Sequence, residues 1–248
     1  MEIIGGLLAG SFIGAVLGFI GAGGAMLTVP ILLYIFDFTP QTATTAALAV
    51  VLTAAMSGLL PKIRSKEVLF REAFIIWALG LSTNIGFSIL VYRLSNSLLT
   101  TGLAMVLIVA GTTMLIKPVA GTEKKVPFFL LILISLIIGM ITGLFGIGGG
   151  FLAIPILVLF FKVPQGKAAG TSLAIIVINS ITAFFGHYQS WDDVNWKVPV
   201  TMAIAAVVIA RFGSIKSGQV NPVILRKAFA GLLYTIALFT LIQTWVIA

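Results

Sequence analysis

Long apolar runs separated by short polar or glycine-rich breaks cover the chain. They fall at about 3–20, 25–36, 42–60, 70–92 and 97–116, then at 127–145, 149–161, 166–186, 196–215 and 222–247. Most approach the ~20 consecutive apolar residues that a membrane-spanning helix needs. The pattern therefore predicts five helical segments, a polar break, and five more. Two segments are short. At 1.5 Å per residue, 25–36 and 149–161 reach roughly 18–20 Å against a hydrocarbon core of about 30 Å. Each is either a short tilted span or the return arm of a hairpin that dips to mid-membrane, so eight and ten spans both stay open. Backbone without helical hydrogen bonds is tolerated at depth only inside protein or along a cavity, which places the glycine turns ahead of these segments in the protein interior.

The two sets of five are copies. The stretch from Gly18 to Leu32, GFIGAGGAMLTVPIL, recurs from Gly143 to Leu157 as GLFGIGGGFLAIPIL. Gly18, Gly21, Gly23, Gly24, Leu27, Pro30, Ile31 and Leu32 all recur in register. The match extends back to Gly14 with Gly139 and forward to Leu48-Ala49 with Leu173-Ala174. Between the copies lies a polar stretch with Pro, Gly and charge. The chain thus divides into a first transmembrane repeat at 1–116, a connector at 117–126 and a second repeat at 127–248.

Composition supports a membrane protein. Hydrophobic residues make up 60% and charged residues 9%, against about 25% charged in soluble domains. The net charge of +8 would suggest nucleic acid in a soluble protein. Here the positive-inside bias explains it, and no nucleic acid is expected as a partner. Lys62, Arg64, Lys66 and Arg71 place their loop in the cytoplasm, and two spans later Lys117, Lys124 and Lys125 make the connector cytoplasmic too. The counterpart of the 62–71 loop, residues 187–196, has lost its basic cluster and gained Asp192 and Asp193. Equivalent loops of opposite character are what an odd number of helices per repeat predicts, the second copy sitting upside down. Lys162, Lys167, Arg211, Lys216, Arg226 and Lys227 then fall inside, with Arg93 and Lys197 as exceptions, and both termini lie outside. The N-terminus lacks a basic n-region and cleavage site, so the first helix is expected to be retained. The expected fold is all-α: a polytopic transmembrane helical bundle of two inverted-topology repeats of about five segments each, with glycine-broken helices at the pseudo-two-fold centre.

Candidate chemistry starts at the turns containing Gly21, Gly23 and Gly24, and Gly146, Gly148 and Gly149. A helix that opens right after such a turn presents unpaired N–H groups and the positive end of its dipole, a ready anion site. Two of these, related by an axis in the membrane plane, would converge where inverted-repeat transporters bind substrate. Close helix packing is the competing explanation, and it accounts for the ridges Gly6, Gly10, Gly14, Gly18 and Ser135, Gly139, Gly143, which also offer a face for a homodimer. No nucleotide loop is present, since no Gly-Lys-Ser/Thr follows either turn. At the next helix starts, Thr44, Thr45, Thr171 and Ser172 are either capping and packing residues or hydroxyl donors to a small oxyanion. Polar residues at depth default to functional hypotheses. Asn84 and Asn179 either bond between helices or line a path; Arg211 either snorkels to the surface or clamps an anion. No acid lies mid-span, which argues against a cation path or a carboxylate proton relay. His187, the only histidine, beside Tyr188, Trp191, Asp192 and Asp193, is a weak metal site, a proton acceptor or an interfacial loop residue. Zero cysteines exclude disulfides, thiolate metal sites and cysteine nucleophiles. No constellation supports an enzyme, a resident metal or any other cofactor.

The paired Gly-x-Gly-Gly turns with their following prolines, the Ala169-Gly170-Thr171-Ser172-Leu173 stretch and the chain's size resemble the sulfite exporter TauE/SafE family from about Gly10 to Ile242. The resemblance implies a bacterial inner-membrane, multi-pass transporter, with both termini periplasmic, of a small sulfur-containing anion such as sulfite or a sulfonate. Where the second copy has Gly170-Thr171-Ser172-Leu173, the first reads Thr45-Ala46-Ala47-Leu48, so any hydroxyl contribution is asymmetric. The expected substrate set is Gly21, Gly23, Gly24, Thr44, Thr45, Asn84, Gly146, Gly148, Gly149, Thr171, Ser172, Asn179 and Arg211. A carrier of another small ion, organic anion or metal cation, and a non-transporting accessory protein are the alternatives. The expected partners are the anion and the lipid bilayer.

Overall fold

The chain turns back on itself at each break that the apolar pattern predicts. A computed structural model describes residues 2–90, 96–116, 127–145 and 150–247. They form helices α1 (Glu2–Ile20), α2 (Gly24–Ile35), α3 (Pro40–Arg64), α4 (Phe70–Leu90) and α5 (Asn96–Leu115). The second half gives α6 (Phe128–Phe145), α7 (Gly150–Phe160), α8 (Gln165–Gly186), α9 (Lys197–Ser217) and α10 (Pro222–Ile242), with a 3-10 turn at Tyr188–Ser190 and a π-helical end at Gln243–Ile247. No strand occurs among the described residues, and the fold is the expected all-α membrane bundle. Among the described residues, seven helices are long and apolar enough to cross a membrane. With 12 residues, α2 reaches only ~18 Å, short of a hydrocarbon core of about 30 Å. The connector 117–126 and Arg93 lie outside the described residues.

The duplication is visible in local geometry. Both short helices end on a residue in the left-handed region, Asp37 after α2 and Lys162 after α7, each with φ 56°. The next amide then reaches back in the same way: Phe38 N–H donates to the Leu32 carbonyl at 3.0 Å, and Val163 N–H to that of Leu157 at 3.0 Å. The chain reverses there because the left-handed residue folds the backbone over the last turn and satisfies its orphan carbonyls.

Two compact units form, Met1–Ala73 with Gly166–Gln219, and Phe74–Gln165 with Val220–Ala248. Each takes helices from both halves of the sequence. In the first, α1 packs along α9, and α9 along α3. The ridge of α1 explains the close approach: a Cβ at Gly10 would meet Met202 backbone, at Gly14 the Ala206 carbonyl at 2.6 Å, and at Gly18 that of Ala210 at 2.5 Å. Hydroxyls fasten α3 to α9, Ser57 Oγ donating to the Val207 carbonyl at 2.7 Å and Ser214 Oγ to that of Gly58 at 2.6 Å. In the second unit α4 and α6 meet through glycine as well. Gly139 lies against Gly80 and Thr83, and Gly143 against the Asn84 backbone. Thr83 Oγ1 donates across that seam to the Leu136 carbonyl at 2.9 Å. Helix α10 packs on α5, and Tyr234 and Thr112 share a hydrogen bond of 2.8 Å.

Candidate functional site

The polar elements of the first unit gather at two places, the start of α2 and the ends of the antiparallel pair α3 and α8. At the start of α2 the chain leaves α1 through Gly21 (φ 83°) and Gly23 (φ 88°), conformations that cost an L-residue with a side chain roughly 1–2 kcal/mol. The turn presses on α8 so closely that a Cβ on Gly21 would stand 2.6 Å from that of Ala169. A Cβ on Gly24 would meet the Leu17 side chain at 2.8 Å. Residues 21–24 are buried, Ala22 fully. No side chain caps the helix at Gly23, and intrahelical bonding resumes with Leu27 N–H to the Gly23 carbonyl at 3.3 Å. The N–H groups of Gly24, Ala25 and Met26 thus open α2 without a capping side chain among the described residues. A buried helix start of that kind suits an anion. The counterpart residues Gly146, Gly148 and Gly149 lie outside the described residues.

Of the hydroxyls expected to assist, Thr45, Thr171 and Ser172 are fully buried and Thr44 is partly exposed. Thr45 Oγ1 donates to the Gln41 carbonyl at 2.9 Å and meets His187 Nδ1 at 3.1 Å. Gln41 Nε2 donates to Ser190 Oγ at 2.7 Å, a second tie from α3 to the same loop. His187 therefore sits on the first turns of α3. Thr171 Oγ1 donates to the Lys167 carbonyl at 2.7 Å and accepts from Leu69 N–H at 3.0 Å. Thr44 closes a local bond to the Pro40 carbonyl at 2.8 Å. Ser172 is buried and bonded. Asn179 lies half-buried on α8 and is bonded; Asn84 belongs to the second unit. Of the expected set, Gly21 approaches the α8 turns that carry Thr171 and Ser172, and Thr45 meets His187.

Arg211 lines a cleft of about 470 Å³ with Lys62, Arg64, Glu67 and Ser214. The cleft follows from how α3 stops. Lys66 takes a left-handed conformation (φ 58°). Its N–H donates to the Ile63 carbonyl at 3.0 Å, and that of Glu67 to the Lys62 carbonyl at 2.8 Å, the double bond of a Schellman cap. That reversal lays Glu67 over Lys62, whose Nζ donates to Oε2 at 2.7 Å. The Lys62 side chain is only 3% exposed and that of Glu67 33%. Room for the carboxylate comes from α8: a Cβ at Gly166 would stand 2.7 Å from Glu67 Oε1, and Gly170 lies against the Glu67 backbone carbonyl. Reading the sequence as charge markers missed this pair. The only signal was a pair of glycines in the first turns of α8, and it does not name its partner.

The two ends of α3 and α8 match. In the alignment of the repeats, His187 stands where Lys62 stands and Thr45 where Gly170 stands. Thr45 meets His187, and a Cβ on Gly170 would meet that of Lys62 at 3.2 Å.

Comparison with known proteins agrees with this architecture. The family model for sulfite exporter TauE/SafE matches residues 6–240. A probable membrane transporter protein of Xylella fastidiosa is 28% identical over 252 aligned residues, which span 96% of this chain and 94% of that protein. The probable membrane transporter protein YunE of Bacillus subtilis is 30% identical over 87% of each chain. A probable membrane transporter protein of Methanocaldococcus jannaschii is 39% identical over 116 residues, 44% of this chain and 43% of its own.

Proposed function

The chain belongs to the sulfite exporter TauE/SafE family of membrane transporters, and from that premise we propose that it moves a small sulfur-containing anion, sulfite or a sulfonate, out of the cell across a bacterial inner membrane. The observation that carries this reading is the buried, side-chain-uncapped start of α2 behind Gly21 and Gly23. Backbone N–H groups of Gly24, Ala25 and Met26 hold the anion there without an opposing carboxylate, and the helix dipole favours its charge. Gly146, Gly148 and Gly149 are the counterparts of Gly21, Gly23 and Gly24 in the second repeat, and the proposal gives them the same part in holding the anion. Thr45 and Thr171 serve by fixing the first turns of α3 and α8, and Asn84 and Asn179 are polar stations at depth. The cargo crosses unaltered, so no catalytic group is needed.

The working cycle is alternating access between inverted repeats. Reciprocal packing supports the inversion: in one unit α1, from the first half of the sequence, seats Gly14 and Gly18 on α9 from the second half, and in the other unit α6, from the second half, seats the equivalent Gly139 and Gly143 on α4 from the first. Charge supports the orientation, because Lys162 at the turn after α7 falls on the predicted inner side. Outward movement suits an anion, since ~100 mV negative inside is worth about 2.3 kcal/mol per charge.

The test is thermal stabilisation of the detergent-purified protein by sulfite, thiosulfate, sulfoacetate, taurine, acetate and chloride, with divalent cations as controls, followed by efflux from proteoliposomes. A ligand that binds only the folded state raises its apparent stability. Stabilisation by one sulfur oxyanion together with its efflux is the expected result. A response to a divalent cation alone overturns the reading.

A further inference from the structure

We propose that the cleft lined by Lys62, Arg64 and Arg211 is a separate oxyanion site, in which the ligand takes the place of the Glu67 carboxylate on the buried Lys62 ammonium. It deepens the transport reading by placing a recruitment site at the end of the unit that the charge pattern assigns to the cytoplasm, and its tests stand apart from that reading.

The cleft holds three cations, Lys62, Arg64 and Arg211, and one carboxylate, Glu67. Among the described residues only Lys62 of these cations is paired with a carboxylate. Cations in a last helical turn complement its dipole, and a solvated side chain suffices for that, as Arg64 illustrates. Lys62 is different. Its ammonium is withdrawn from water, which costs a buried ion dearly and is tolerated only with a close counter-charge. The counter-charge is supplied by the more accessible partner, at 33% exposure against 3% for Lys62, from a residue just past a reversal that strains Lys66 into the left-handed region. Glu67 is thus the member of the pair that can withdraw, and withdrawal leaves an ammonium demanding another anion. Arg64 and Arg211 supply planar forks that match the oxygens of sulfite, sulfonate or phosphate. With a volume of about 470 Å³, the cleft admits any of these with water.

The ligand class is a small oxyanion of one or two negative charges, free in solution or carried on a lipid headgroup. No covalent step is involved. The site exchanges one anionic partner of Lys62 for another.

The experiment uses the full chain in detergent, with sulfite and inorganic phosphate as probes, and nanodiscs with and without phosphatidylglycerol. Three variants are compared with the parent: Arg64→Gln, Arg211→Gln and Glu67→Gln. Each arginine substitution should weaken phosphate binding about tenfold, as loss of one charge-assisted contact predicts. Glu67→Gln should lower the melting temperature in the absence of anion and recover more of it with phosphate than the parent gains. Both arginines are exposed, so their variants remain informative if Glu67→Gln fails to fold. Dependence on the arginines in detergent identifies a free oxyanion as ligand, and dependence seen only with phosphatidylglycerol identifies the headgroup; either supports the site. Binding of both probes unaffected by Arg64→Gln and Arg211→Gln overturns it while leaving the transport reading intact. Arginine-dependent phosphate binding without sulfite transport supports the site and overturns the transport reading. No response to phosphate, sulfite or anionic lipid in any of the proteins overturns the site.

Discussion

His187 Nδ1 lies 3.1 Å from Thr45 Oγ1, so the chain's only histidine is fixed to the second turn of a helix that begins nearly 150 positions earlier in the sequence. His187→Ala should cost about 1 kcal/mol, the net worth of one such bond. Melting curves of parent and variant check this.

The start of α2 gives a sharper test of transport. Gly23→Ala forces a side chain to φ 88° and should destabilise by about 1–2 kcal/mol while the protein still folds. Gly24→Leu should abolish both sulfite-dependent stabilisation and efflux, because its side chain competes with Leu17 and covers the opening amides. Retained efflux in a folded Gly24→Leu protein removes the α2 start from the mechanism.

The seam of α1 and α9 should be intolerant. Gly14→Ala drives a methyl into the Ala206 carbonyl, and overpacking of this kind costs about 1–3 kcal/mol. Gly231→Ala in α10, where nothing stands within 4 Å, should instead stabilise by roughly 0.5–1 kcal/mol. Opposite signs for the two substitutions, read by thermal unfolding, are the expected outcome.

The reversal after α3 responds to residue 66. Lys66→Val puts a β-branched side chain at φ 58°, where such residues are outliers, and should cost about 1–2 kcal/mol. Lys66→Ala, with less steric conflict, should cost less, and the order of the two melting temperatures is the measurement.

Lys62 and Glu67 should couple strongly. Glu67→Gln alone leaves a buried ammonium without its counter-charge, a change of about 3–5 kcal/mol in comparable pairs. Lys62→Met combined with Glu67→Gln should recover most of that loss, since an apolar replacement of a buried pair is often neutral. A double variant no better than the single one contradicts a pairwise role.

Much of the architecture is legible in the sequence. Helix positions follow from the length of apolar runs, a local property, and the turn at Gly21 and Gly23 follows from a conformation that glycine alone takes cheaply. The duplication is legible too, and it surfaces as the matched reversals at Asp37 and Lys162. Residue partnerships were another matter. Nothing in the ridge Gly6, Gly10, Gly14 and Gly18 says that it faces α9, because a stripe of small residues accepts any backbone of suitable crossing angle. Lys62 read as one of several basic loop markers, since its burial depends on Gly166 and Gly170, which come about a hundred positions later.

The sequence by itself determined the helices, the copies and the chemical character of the turns, because apolar length, glycine and proline act on the chain within a few residues. Only the tertiary structure decided that each compact unit interleaves both halves, that Thr45 and Thr171 spend their hydroxyls on His187 and Leu69 as well as on their own helices, and that Arg211 shares a cleft with Lys62. Those outcomes depend on which surfaces exclude each other at a distance in sequence, and shape complementarity across packed helices is a property of pairs that no single segment contains.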